Sequence, residues 1–140
     1  MGSVFFQCTI EYEVSIIDAI FLYDLQQIVN YLKHLNNTHS GIVSLFSMGK
    51  SFEGRDLLGL KFSKDGKNKS SLFIDAGIHA REWISHTTAL YFIKELAENE
   101  SNYYLFENIN IFIVPVLNPD GYEFTRAKKR VRKHFIICLE

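Results

Sequence analysis

The chain has 140 residues, of which 47% are hydrophobic and 22% charged. That balance suits one folded domain with a sizeable core and excludes disordered, collagen-like and mucin-like chains. The formal charge is −1, but six of the 15 basic residues lie between Arg126 and Lys133, which leaves the remainder with nine bases against 16 acids. A chain that is acidic over most of its length is not a dedicated nucleic-acid binder.

Residues 1–22 mix apolar and acidic positions without a period. They lack the basic start of a secretory signal, and Glu11, Glu13 and Asp18 interrupt their apolar stretch. From Asp24 the pattern sharpens. Leu25, Ile28, Val29, Leu32 and Leu35 follow helical spacing, Asp24 with Gln27 forms a capping-box pattern, and Asn36-Asn37 marks an end, so a helix is predicted over 24–36. Strands are predicted over 42–48 and 58–62, with the polar turn Gly49-Lys50-Ser51-Phe52-Glu53-Gly54-Arg55 between them. An exposed turn follows over 63–70.

Leu72–Ala76 reads as a short apolar strand that runs into Gly77-Ile78-His79-Ala80-Arg81-Glu82-Trp83. Ala89, Phe92, Ile93, Leu96 and Ala97 then place a helix over 82–98. Ile109–Leu117 is apolar almost throughout, as a strand buried on both faces should be. Asn118-Pro119-Asp120-Gly121 reads as a turn, after which the chain becomes basic and loses periodicity. Strand, helix, buried strand is a βαβ unit, so the fold class is α/β: part of a mixed, largely parallel sheet with helices on both faces.

His79 and Glu82 are the strongest chemical candidates. They lie three residues apart at a helix start, so an imidazole nitrogen and a carboxylate oxygen can converge on one cation, and that donor pair suits Zn²⁺. Many helices carry His-x-x-Glu by chance, and a solvated pair favoured by the helix dipole is the competing reading. Arg81 beside them could hold a carboxylate in a fork of hydrogen bonds, or simply lie on the surface. None of His34, His39, His86 and His134 is an obvious third ligand, and the neighbours of His86 (Ser85, Thr87 and Thr88) suggest a helix wall. The run Arg126–Lys133 could meet phosphates or acidic surfaces, but no aromatic residue interleaves it for stacking on bases. Cys8 and Cys138 do not make a disulfide scaffold. Sequons at Asn36, Asn68 and Asn99 permit secretion without arguing for it. Serine-hydrolase, nucleotide-binding and Cys-x-x-Cys motifs are absent from the sequence.

Three segments together resemble one family. Gly77-Ile78-His79-Ala80-Arg81-Glu82-Trp83-Ile84 is similar to the zinc-binding signature of the pancreatic carboxypeptidase A/B type of zinc metallocarboxypeptidase. Gly49–Arg55 resembles a turn upstream of it, and Pro115–Tyr122 resembles the family's Asn-Pro-Asp-Gly segment downstream. The resemblance covers about residues 23–133, as the N-terminal half of such a catalytic domain, and leaves 1–22 unmatched and 134–140 as a divergent tail. It implies a truncated carboxypeptidase-like fold and a secreted zinc-dependent metalloprotease that hydrolyses C-terminal residues from peptides and proteins. Its implied partners are peptide C-termini, with no nucleic acid and no membrane.

By the same resemblance one Zn²⁺ is held by His79 and Glu82, and Arg81 lies in the substrate groove. The family's Arg-aliphatic-Trp-Arg-Lys pattern corresponds to Arg130-Val131-Arg132-Lys133, one residue short. With a gap there Arg132 takes the oxyanion role; without one Lys133 falls in that place and the fork is lost. The family's third ligand (a His), its Asn-Arg carboxylate clamp, its closing Tyr and its Glu general base have no counterpart in these 140 residues. The expectation is therefore an enzyme by family whose 140-residue chain is inactive alone. The alternative is a non-catalytic truncated product that acts as a peptide-binding or decoy module.

Overall fold

A computed structural model describes residues 24–64 and 69–127. The first helix, α1 (Leu25–Thr38), begins where the capping box predicts. The Asp24 carboxylate accepts the Gln27 N–H at 2.7 Å, and the Gln27 side chain accepts the Asp24 N–H at 2.8 Å. It runs two residues past its predicted end, because Asn36 does not break it. The Asn36 amide oxygen instead accepts the Leu45 N–H of the next strand at 2.8 Å and ties helix to sheet. Ile28, Leu32 and Leu35 form its buried stripe.

Strands β1 (Val43–Lys50), β2 (Asp56–Phe62), β3 (Ser70–Asp75) and β4 (Ile109–Val114) make one sheet in the order β1-β2-β4-β3. The pair β3–β4 is parallel, bridged by helix α2 (Trp83–Glu98) and a 3₁₀ helix (Glu100–Phe106), which is the βαβ unit expected. The β1–β2 and β2–β4 pairings are antiparallel. The sheet is mixed, as expected, with one of its three described pairings parallel. A tight β1–β2 hairpin forces one antiparallel pairing, and the non-local β2–β4 contact adds the other.

Every strand residue in the main cluster (Val43, Leu60, Phe62, Ile111 and Ile113) lies on one face of the sheet. Ile28 and Leu32 of α1, Ile93 of α2 and Phe106 of the 3₁₀ helix pack against that same face. Helices α1 and α2 and the 3₁₀ helix thus pack on one face. The opposite face carries Phe46, Lys61, Phe73 and Phe112, with Phe46 and Phe112 edge to face at 5.6 Å. Phe73 on that face and Leu72 on edge strand β3 are 48% and 46% exposed. Exposed apolar side chains beside a strand edge with no partner among the described residues favour association. Size-exclusion chromatography of the 140-residue chain is expected to give a concentration-dependent, larger-than-monomer species. A thermally cooperative monomer at all concentrations would contradict that expectation.

Pairing weakens after Val114, short of the predicted end at Leu117. The Leu117 N–H still donates to the Ala76 carbonyl at 2.8 Å, but the Pro115 carbonyl turns to a side chain instead. The segment Asn118–Gly121 is not a free turn. It opens helix α3 (Pro119–Ala127), with Pro119 at the first helical position and the Asn118 side chain accepting the Gly121 N–H at 2.9 Å. The predicted loss of periodicity after Tyr122 is corrected as well, since the helix continues to Ala127. No helix among the described residues is long and apolar enough to cross a membrane.

Candidate metal centre

Strand β3 delivers the chain to Gly77, whose φ of +75° turns it sharply. A Cβ at Gly77 would overlap the His86 ring, so the backbone can come this close only as glycine. The loop is then folded by its own hydrogen bonds. The Gly77 N–H donates to Ser85 Oγ at 3.2 Å, Ser85 Oγ donates to the Glu82 carbonyl at 2.7 Å, and the Glu82 N–H donates to the His79 carbonyl at 3.0 Å. Glu82 sits at the N-cap of α2 but makes no capping bond with its side chain. Its carboxylate reaches His79 instead, with Oε1 3.1 Å from Nδ1.

The strand–loop–helix order thus brings His79 and Glu82 together, as their spacing predicts. Their side chains are 68% and 64% exposed, open to ions from solution. Two donors of a tetrahedral zinc, at the usual bond lengths, stand about 3.4 Å apart. The observed 3.1 Å is an ordinary hydrogen-bond distance and is also close to that separation. Among the described residues no cluster of three or more His, Cys, Asp or Glu could hold a metal ion. Arg81 is exposed beside the pair, and no hydrogen bond or ion pair from it is found among the described residues. Arg130, Arg132, Lys133, His134, Cys8 and Cys138 lie outside the described residues.

His86 points the other way. Only 2% exposed, it is set edge-on to Tyr122 at 4.6 Å, and its Nδ1 lies 2.9 Å from the Pro115 carbonyl. Neutral Nδ1–H donates there. Burial holds the imidazole below its ordinary pKa, opposed by its backbone contacts at Pro115 and Ala80. His86 is thus a strut behind the loop and not a third ligand.

The three distinctive sequence segments converge around α3. The Asp120 carboxylate accepts Ser51 Oγ at 2.7 Å, the Glu53 N–H at 3.0 Å and Arg55 Nη1 at 2.6 Å. Burial alone would raise the Asp120 pKa, but the bonds from Ser51, the Glu53 amide and Arg55 outweigh it and hold the carboxyl below its usual range. Arg55 is held above its ordinary value by Glu53 and Asp120. On the other side, Asn118 Nδ2 donates to the Ile78 carbonyl at 3.3 Å, and Trp83 Nε1 donates to Thr125 Oγ1 at 3.1 Å. Gly121 packs so closely that a Cβ there would lie 2.7 Å from the Ala80 Cβ. Sequence reasoning missed Ser51, Asn118, Asp120 and Thr125 as the scaffold of the loop. The signal available was that Ser, Asn and Asp stood in otherwise apolar or turn segments.

His86 and Asp120 each make the fold sensitive to acid. Both bind protons more readily in the unfolded chain, so stability falls as pH falls. His86 contributes in full above about pH 6.5 and loses its contribution below it, while Asp120 contributes in full above about pH 4 and loses its contribution below that. Urea midpoints measured from pH 7.5 down to 3.5 should decline in two stages, with a slope of at most about 1.4 kcal/mol per pH unit in the first. His86→Gln should remove the first stage. A pH-independent midpoint across that range would contradict both assignments.

A family model described as zinc carboxypeptidase matches residues 28–134. The chain belongs to the zinc carboxypeptidase family. It is 41% identical over 112 residues to human carboxypeptidase A6, a match that covers 77% of this chain and 26% of that protein. It is 37% identical over 110 residues to carboxypeptidase B of Astacus astacus, covering 78% of this chain and 36% of that one. Among solved structures, bovine thrombin-activatable fibrinolysis inhibitor, in complex with tick carboxypeptidase inhibitor, aligns with a TM-score of 0.71 at 32% identity. That alignment covers 80% of this chain and 36% of that one. Carboxypeptidase A from Helicoverpa armigera gives 0.70 at 32%, over 77% and 27% of the two chains. This chain of the family spans about a quarter to a third of the length of these relatives.

Proposed function

We propose that His79 and Glu82 supply two protein ligands of a zinc site for hydrolysing C-terminal residues from peptides and proteins. One observation carries the reading: in a chain of this family, an imidazole nitrogen and a carboxylate oxygen stand 3.1 Å apart, exposed, at the end of a parallel strand. A bound zinc supplies a Lewis acid for the scissile carbonyl and lowers the pKa of a bound water. This chain's own residues do the rest of the local work. Glu82 holds His79 by accepting from Nδ1 when that nitrogen is protonated, and α2 lends the positive end of its dipole to the carboxylate. Arg81, exposed beside the pair, would hold a substrate carboxylate. Arg132 would stabilise the oxyanion if the gap in its segment is real. An extracellular site of action belongs to the same proposal.

Zinc titration of the 140-residue chain, followed through the histidine ring NMR signals, tests the ligand pair. His79 should be the ring most shifted, and His79→Ala or Glu82→Ala should weaken binding by more than about tenfold, the loss that even an indirect partner of a ligand produces. Zinc that shifts His34 or His39 and leaves His79 unmoved would end this reading.

A further inference from the structure

We infer that Asn118 is a positioning residue for the His79–Glu82 pair, a role beyond capping α3. The inference rests on the zinc reading above. Asn118 is only 5% exposed and uses both ends of its amide. Its oxygen accepts the Gly121 N–H at 2.9 Å, which is the helix cap. Its nitrogen donates at 3.3 Å to the carbonyl of Ile78, the residue before His79.

That second bond has a geometric consequence. The loop between Gly77 and Glu82 carries the exposed His79 and meets two side chains at its carbonyls: Asn118 Nδ2 donates to Ile78, while Thr125 Oγ1 lies 3.4 Å from Ala80 and gives its one proton to the Tyr122 carbonyl at 2.8 Å. These two contacts bracket His79, one residue before it and one after. Of the two, the Asn118 contact is the hydrogen bond, made from a buried donor. Fixing the Ile78 peptide fixes the Cα of His79, and so the direction from which its ring approaches Glu82. The Asn118 end is itself rigid, because its neighbour Asp120 is tied to Ser51, Glu53 and Arg55. Asn118 thus transmits the position of the sheet and hairpin to the metal pair.

Two substitutions separate the roles. Asn118→Asp and Asn118→Ser each keep an oxygen to cap Gly121, since both residues are good caps. The first replaces the donor with a charge that repels the Ile78 carbonyl, and the second is too short to reach it. Zinc alone is the probe, titrated into each full chain, with thermal midpoints measured in parallel. The expected result is affinity weakened roughly tenfold, the lower end for partners one step removed from a ligand, with a midpoint lowered by the lost buried bond but no further than Ile28→Ala lowers it. Ile28→Ala, far off in α1, should lower the midpoint and leave affinity unchanged, which shows that destabilisation alone does not produce the effect. Parental affinity in both Asn118 variants would overturn the inference. So would failure of both to fold, because Asn118 would then hold the fold and not the loop. His79→Ala distinguishes the two levels. If it binds zinc as the parent does, the zinc reading has failed; if it loses zinc while both Asn118 variants keep it, only the positioning role has.

Discussion

Gly77→Ala should destabilise the chain by more than about 3 kcal/mol, a large share of the few kcal/mol that hold a domain of this size together. Two costs add. A left-handed backbone costs a residue with a Cβ about 1–2 kcal/mol, and overlap with a buried ring costs about as much again or more. The second cost depends on His86, so the double variant Gly77→Ala/His86→Ala should recover part of the loss, and the coupling between the two sites should be at least about 1 kcal/mol. Chemical denaturation followed by circular dichroism measures all four corners of the cycle. Strict additivity would mean that the ring does not lie against Gly77.

The second large effect is on turnover. The 140-residue chain is expected to release C-terminal residues from an unblocked peptide no faster than a C-terminally blocked control, with or without chelator. Two protein ligands leave a zinc mostly to water, and the general base that the family resemblance implies has no counterpart among these residues, a loss of roughly 10²–10⁴-fold by itself. Without a clamp for the free C-terminus the contribution of positioning is lost too. Adding the corresponding remainder of a related enzyme should restore chelator-sensitive release, and His79→Ala in that hybrid should abolish it. Robust chelator-sensitive release by the 140 residues alone would mean that the catalytic groups had been misplaced, with His134 the first to reconsider.

Much of this was legible in the sequence because it is written locally. The capping box at Asp24 and the helical stripe of α1 depend on neighbours three and four residues away. The approach of His79 to Glu82 likewise needs only a strand end and a helix start. What escaped depends on partners distant in the chain. Asn118-Pro119-Asp120-Gly121 has the composition of a turn, and equally that of a capped helix start. Nothing local decides between them, whereas bonds to Ile78, Ser51 and Arg55 do. The neighbours of His86 mark it as part of a helix wall, but not what that wall faces: Gly77, Pro115 and Tyr122 close over it from two distant segments. The antiparallel contact of β2 with β4 escaped for the same reason, since it joins strands about fifty residues apart in the chain.

The place of Trp83 supplies a reporter. It is the single tryptophan of the chain, it follows Glu82 directly, its ring lies 6.1 Å from that of Tyr122, and its indole N–H is held by Thr125. Light absorbed by the seven tyrosines and emitted at indole wavelengths therefore comes from one known point, one residue from the carboxylate. A change in that emission as zinc is added, with far-ultraviolet dichroism constant, would be a signal from the loop itself. On heating, an indole red shift ahead of the loss of helical dichroism would show the loop leaving α3 before the sheet gives way.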